Sequence, residues 1–182
     1  MTHAEPRRIP DPGFAGDAGA AASGPAAALA SYAAGTGSYV DALAAVRGTR
    51  LLVPVVAVLG EAEVDESGQA REKSSDMATV LLQGADGRMA LLAFTGLPAL
   101  RAWDPEARPV PVTARTAAQA ALQDLAAALV VDVAGPVSFV IEGQDLEGLA
   151  RGWTLARVGG RSAWLTPDEE RAASEGRVTG GE

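Results

Sequence analysis

The apolar positions of this chain fall into short runs punctuated by glycine, proline and acidic residues, and the densest grouping lies in residues 77–103. Residues 77–83 and 88–94 are rich in Val, Leu and Met, have ordinary strand lengths, and flank Gly84-Ala85-Asp86-Gly87. Asp-Gly between two such runs signals a hairpin, because the central residues of a type I′ turn need positive φ. A longer loop that includes Ala85 is the other form. Val80, Leu81 and Leu82 are consecutive, as are Met89 through Phe94, so neither strand alternates. Strands covered on both faces read this way, which predicts a hairpin lying centrally in a sheet. Thr95 is the expected cap of a short helix after it, with Pro98 in the first turn, where no amide hydrogen is needed, and Leu100 and Trp103 on one face. Pro105 disfavours continuation through Asp104.

The rest of the pattern supplies elements around this unit. Residues 1–37 are Ala, Gly, Pro and Asp with few bulky apolar side chains, which predicts a disordered leader with a transient helix over 26–34. Ser38 and Asp41 form a capping-box-like opening to a helix with Tyr39, Val40, Leu43 and Val46 on one stripe, closed by Gly48. Residues 50–59 read as a strand that Pro54 assigns to an edge or a bulge. The polar stretch 60–76 connects two strands. Glu61, Glu63, Asp65, Ser67, Gln69 and Glu72 match ligand positions of an EF-hand loop, but Glu66 stands where glycine is needed, so a solvated loop is the expectation. Residues 108–113, with two prolines, read as an edge strand. Thr113 or Thr116 caps a helix to about residue 127, with Thr116 and Gln119 matching a capping box. Residues 129–133 and 137–142 are strands around Gly135-Pro136, and residues 144–151 a short helix. Residues 153–165 form an expected hairpin about Gly159-Gly160, and residues 166–182 a solvated tail. The sum is an α/β chain of the α+β type. It has an ordered body over 38–152, a single sandwich whose mixed sheet contains a central hairpin flanked by helices.

Composition narrows the chemistry. Cysteine is absent and His3 is the only histidine, so thiolate nucleophiles, Cys or His metal sites and histidine-based triads are excluded. The formal net charge of −8 disfavours nonspecific nucleic-acid binding. Fourteen arginines against one lysine, with no asparagine, follow the codon usage of a GC-rich genome and are no sign of phosphate recognition. No apolar run has the length of a membrane span, and no basic segment precedes a hydrophobic one at the N-terminus, so a cytoplasmic location is expected.

The segment LLAFTGLPALRAWDPEARPVPVTARTAAQAAL, with Phe94, Thr95, Leu100 and Trp103, followed by ALVVDVAGPVSFVIEGQDLEGLA, with Asp132, Gly135 and Pro136, resembles the SseB-like N-terminal domain family in the form common in high-GC Gram-positive bacteria. The likeness runs from about residue 40 to 150. It implies a non-enzymatic or uncharacterised role and carries over no catalytic residue; family members often have a second domain after this one.

The residues themselves give three functional expectations. The first is a non-catalytic interaction or regulatory module that binds a protein partner or self-associates, for instance through an edge strand at 50–59. The second is a small-molecule domain holding an anion or amino-acid carboxylate at the start of the helix after Thr95 and Gly96. The third is a hydrolase using Asp104 and Asp132. Against the third, Asp104 suits an Asp-Pro turn and Asp132 the Gly135-Pro136 bend, and Thr95 has no histidine or lysine placed as its base. Trp103, Trp153 and Trp164 serve either the core or a ligand or partner surface, with the core favoured for Trp103. No cofactor and no metal are expected.

Overall fold

The structure, a computed structural model, describes residues 14, 16–59, 75–158 and 161–178. The first element is a helix, α1 (Ser23–Ala33), inside the stretch expected to be disordered. Few of its side chains are bulky, but those few are well used. Leu29 is only 3% exposed, and Tyr32 meets the rings of Tyr39 and Phe139 edge-on at 6.1 and 5.5 Å. Helix α2 (Tyr39–Arg47) opens with the expected box: the Asp41 amide donates to Ser38 Oγ and the Ser38 amide to the Asp41 carboxylate. It buries Val40, Leu43 and Val46.

Strand β1 (Arg50–Leu59) then runs between β2 (Ser75–Thr79) and β5 (Arg108–Thr113), antiparallel to both. It is therefore not an edge strand, and Pro54 sits inside it. The reason lies in which side the missing amide would face. Leu52 exchanges both backbone hydrogen bonds with Phe94, each 2.8 Å, so even-numbered amides of β1 point that way. Pro54 falls in the gap between this bridge and the first pair with β2, Val55 with Thr79, where no donor is called for. In β5 the Ala114 amide donates to Thr49, so Pro109 and Pro111 face away from β1 at the open margin, as expected of an edge.

The second sheet has the order β3-β4-β6-β7, formed by β3 (Leu81–Gln83), β4 (Met89–Ala93), β6 (Ala128–Val131) and β7 (Phe139–Glu142). It is mixed: β4 and β6 are parallel and the outer pairs antiparallel. The hairpin turns at residues 84–87, with Gly87 at φ 81°. Its second strand is interior, and the adjacent Leu91 and Leu92 are both fully buried on opposite faces. Its first strand is the margin of the sheet. The run 77–83 is divided between two sheets, because the chain changes sheets at Val80, between β2 and β3.

On one face of this sheet, Leu91, Leu129, Ile141 and Phe139 join Leu43 and Val46 of α2, Ala117 and Ala121 of α4 (Ala114–Gln123), and Leu146 and Leu149 of α5 (Gly143–Arg151). Thr113 caps α4 by accepting from the Thr116 amide; Gln119 takes no part in the cap and donates to the Ala150 carbonyl. The helix stops at Gln123, and Leu125 follows in the left-handed region at 89% exposure. On the opposite face, Leu52, Leu92, Phe94 and Val130 are covered by α3 (Leu97–Trp103) through Leu100 and Trp103. Strands β8 (Thr154–Val158) and β9 (Arg161–Leu165) form a separate antiparallel hairpin that sets Trp164 against α5. Helix α6 (Pro167–Val178) occupies the expected tail; it starts from Thr166, whose amide and hydroxyl both donate to Glu169. Among the described residues, no helix is long and apolar enough to cross a membrane.

Candidate functional site

Two turns bring the buried polar groups together. Thr95 follows β4 and Asp132 follows β6, and parallel pairing puts the two strand ends side by side, with the Asp132 amide donating to the Ala93 carbonyl at 2.9 Å. The Asp132 carboxylate then accepts twice from one residue: the Thr95 amide donates to Oδ1 at 2.8 Å and the Thr95 hydroxyl to Oδ2 at 2.7 Å. Thr95 is therefore not the cap of α3. Gly96 holds that position with no side-chain cap, because the buried carboxylate claims the threonine. Asp132 stands at φ 55°, and its own carbonyl accepts from the Gly135 amide at 2.8 Å, so the bend is held by its backbone while the side chain is spent on Thr95. A Cβ on Gly135 would lie 3.0 Å from that of Asp132, which favours glycine there. Burial pushes the Asp132 carboxyl above the ordinary carboxylate range, and the two Thr95 bonds oppose that rise.

Beside this pair lies a cavity of about 370 Å³. Its walls are α1 (Ala26, Leu29, Ala30), α3 (Pro98, Ala99, Ala102) and the turn from Ala134 to Val137. Among the described residues, Thr95 and Asp132 are the only polar side chains in its lining. The segment leading into α1 closes one end: the Gly19 carbonyl accepts from the Leu97 amide at 2.8 Å, and Gly96 leaves room for Ala21, whose nitrogen a Cβ would approach to 2.7 Å. Arg50 ties that segment down. Its guanidinium donates to Asp17 at 2.7 Å and to the Ala20 and Thr95 carbonyls at 2.9 Å each. The Arg50 bond, with the Gly19 amide behind it, holds the Asp17 carboxyl below its usual range.

This strap gives a direct expectation. Arg50→Ala should cost about 1.5 to 3 kcal/mol, as loss of a half-buried charge-assisted cluster does, and should expose residues 17–22 to limited proteolysis. Because the folded Asp17 carboxyl titrates lower than the unfolded one, its stabilisation is present above the unfolded value of 3.8 and is lost as pH falls through the depressed folded value. Proteolysis of this segment should accelerate over that acid window in the unaltered protein and depend less steeply on pH in the Arg50 variant, where only the Gly19 amide still holds Asp17.

The remaining sequence candidates lie elsewhere. Asp104 accepts from the Glu106 amide at 2.9 Å, the role of a turn acid, and does not line the cavity, so Asp104 and Asp132 do not share it. Trp103 packs on Phe94 with 5.6 Å between ring centres. Trp153 is half-buried beneath the Arg151 guanidinium, 5.5 Å above its ring. Trp164 is 7% exposed and donates to Asp145 at 2.7 Å. Gly96 does line the cavity. Arg50, Asp17 and the α1 residues were not singled out by the sequence; only the transient helix expected over 26–34 pointed towards that region. The acidic stretch with EF-hand-like spacing lies outside the described residues, and among the described ones no group of His, Cys, Asp or Glu is arranged to hold a metal ion.

Comparison with known proteins adds one match. A family model, the SseB protein N-terminal domain, matches residues 26–148, which runs from within α1 into α5. No curated protein and no solved structure matches the chain. With about two thirds of its length covered by that match, the chain belongs to the SseB N-terminal domain family.

Proposed function

We propose that this domain is a non-catalytic cytoplasmic interaction module whose contact surface is the uncovered part of the four-stranded sheet. The supporting observation is an apolar patch with a charged rim. α3 covers only the end of this face near Phe94. Beyond it, Leu82 is 40% and Val140 43% exposed, and together with Ala90, Ala128 and Val130 they line a hollow of about 420 Å³. Arg88 borders it, bonded to Asp86 at 2.6 Å and Glu142 at 2.9 Å. Exposed aliphatic side chains inside a polar border are the usual make-up of a protein contact surface. Strand β1 is less suited to this part, since Arg50–Val55 pair with β5, Val55–Leu59 with β2 and Leu52 with Phe94, and the outward prolines leave β5 little to offer an added strand. The reading is tested by light scattering and affinity capture with the full chain and a Leu82→Glu/Val140→Glu variant. Self-association or a captured partner that the double variant loses is the expected outcome. A strict monomer with no partner, or a complex indifferent to both substitutions, overturns it.

A second reading, a small-molecule domain, is supported by the cavity beside Thr95 and Asp132. Its surroundings do not favour the anion expected from sequence. The Leu97 amide, first in α3, already donates to Gly19, and the carboxylate in the wall repels a second negative charge.

A further inference from the structure

We infer that the cavity between α1 and α3 is a binding site for a small primary amine with a compact hydrocarbon body, its ammonium group on the Asp132 carboxylate. This rests on the small-molecule reading and names its ligand class. Three observations carry it. First, Asp132 is 6% exposed, and among the described residues no cation pairs with it. Arg50, whose guanidinium reaches the Thr95 carbonyl, is occupied by Asp17 and two carbonyls instead. A desolvated carboxylate without a counter-ion is an expensive arrangement that a bound cation relieves.

Second, the carboxylate has unused capacity. Each oxygen accepts one bond from Thr95, whereas an ionised carboxyl offers about four acceptor positions in all. An ammonium brings three donors, so it adds to the Thr95 bonds without displacing them. Third, among the described residues every other side chain in the wall is aliphatic. Ala26, Leu29, Pro98, Ala99 and Val137 offer contact area and no hydrogen bond, which suits a hydrocarbon body and excludes a ligand polar at both ends. The alanines of α1 and α3 leave the space open between the two helices.

The test uses the full chain and matched probes in thermal-shift and calorimetric titrations: hexylamine and benzylamine against hexanol and hexanoic acid. The amines are expected to raise Tm saturably, with hexanol and hexanoic acid showing little or no shift. Asp132→Asn keeps both Thr95 partners, because the amide oxygen accepts from the Thr95 N–H while its NH₂ donates to the hydroxyl. It should therefore fold and weaken amine binding by about thirtyfold or more. Ala102→Phe, at an exposed position of α3 that borders the cavity, should block binding without touching Asp132. Saturable binding of hexanoic acid in preference to the amines overturns the ligand class while leaving a ligand cavity. No saturable shift with any probe, or amine binding unaltered by Ala102→Phe, overturns the site altogether.

Discussion

Asp132→Ala should destabilise the protein by about 3 to 5 kcal/mol, whereas Asp132→Asn should cost less than about 1 kcal/mol. The alanine variant strands two buried donors, the amide and hydroxyl of Thr95, each worth about 1 to 3 kcal/mol when orphaned. It also puts alanine at φ 55°, a left-handed position that adds about 1 kcal/mol or more. Asparagine avoids both penalties, since it satisfies each Thr95 group and is among the residues most tolerant of that backbone region. The pH dependence has a definite sign. The folded Asp132 carboxyl is raised above its unfolded value of 3.8, so its contribution is full below that value and is lost as pH rises through the folded one. Asparagine does not titrate. The stability of Asp132→Asn relative to the unaltered protein should therefore improve from acid to neutral pH. Urea denaturation across that range checks both statements, and equal losses from the two substitutions would contradict the Thr95 pairing.

Gly148→Ala is the second large effect, expected to cost about 2 to 4 kcal/mol. On helix propensity alone the change should stabilise α5 by about 1 kcal/mol. Packing decides the sign. A Cβ at Gly148 would overlap the Trp164 indole, with Cγ and Cε2 only 2.6 Å away, so the ring must leave. Its Nε1 bond to Asp145 goes with it, and the β8–β9 hairpin loses its main attachment to α5. Tryptophan fluorescence should shift to the red before global unfolding, and a gain of stability on denaturant titration would show that Trp164 does not rest there.

These two sites also mark how far the sequence is readable. The turn at 84–87, the Ser38–Asp41 box and the outward prolines of β5 are local matters, decided by residues within a few positions of one another, and each is recognisable from the chain alone. Thr95 and Asp132 stand out individually, but short polar side chains most often bond to their own neighbours, so each invites a local role. Their actual partnership spans 37 residues and exists only because β4 and β6 pair in parallel. Pro54 misleads for a related reason. A proline marks an edge only if its missing donor was needed, and that depends on a gap between two other strands. For α1, counting bulky residues understates what a few can do when Phe139 and Tyr39 wait to receive them. Helix α6 is a different kind of omission, because the Thr166–Glu169 box that starts it is legible in the chain.

The Arg50 clasp has a bearing on synthesis. The residues it secures, Asp17 and Ala20, are made before Arg50 itself, but the carbonyl completing the arrangement belongs to Thr95. At about 5 to 20 residues per second, some 4 to 16 seconds of translation separate the two. Within that interval the Arg50 guanidinium can hold Asp17 and the Ala20 carbonyl but not the carbonyl of Thr95, so the clasp is completed only after β4 has been made.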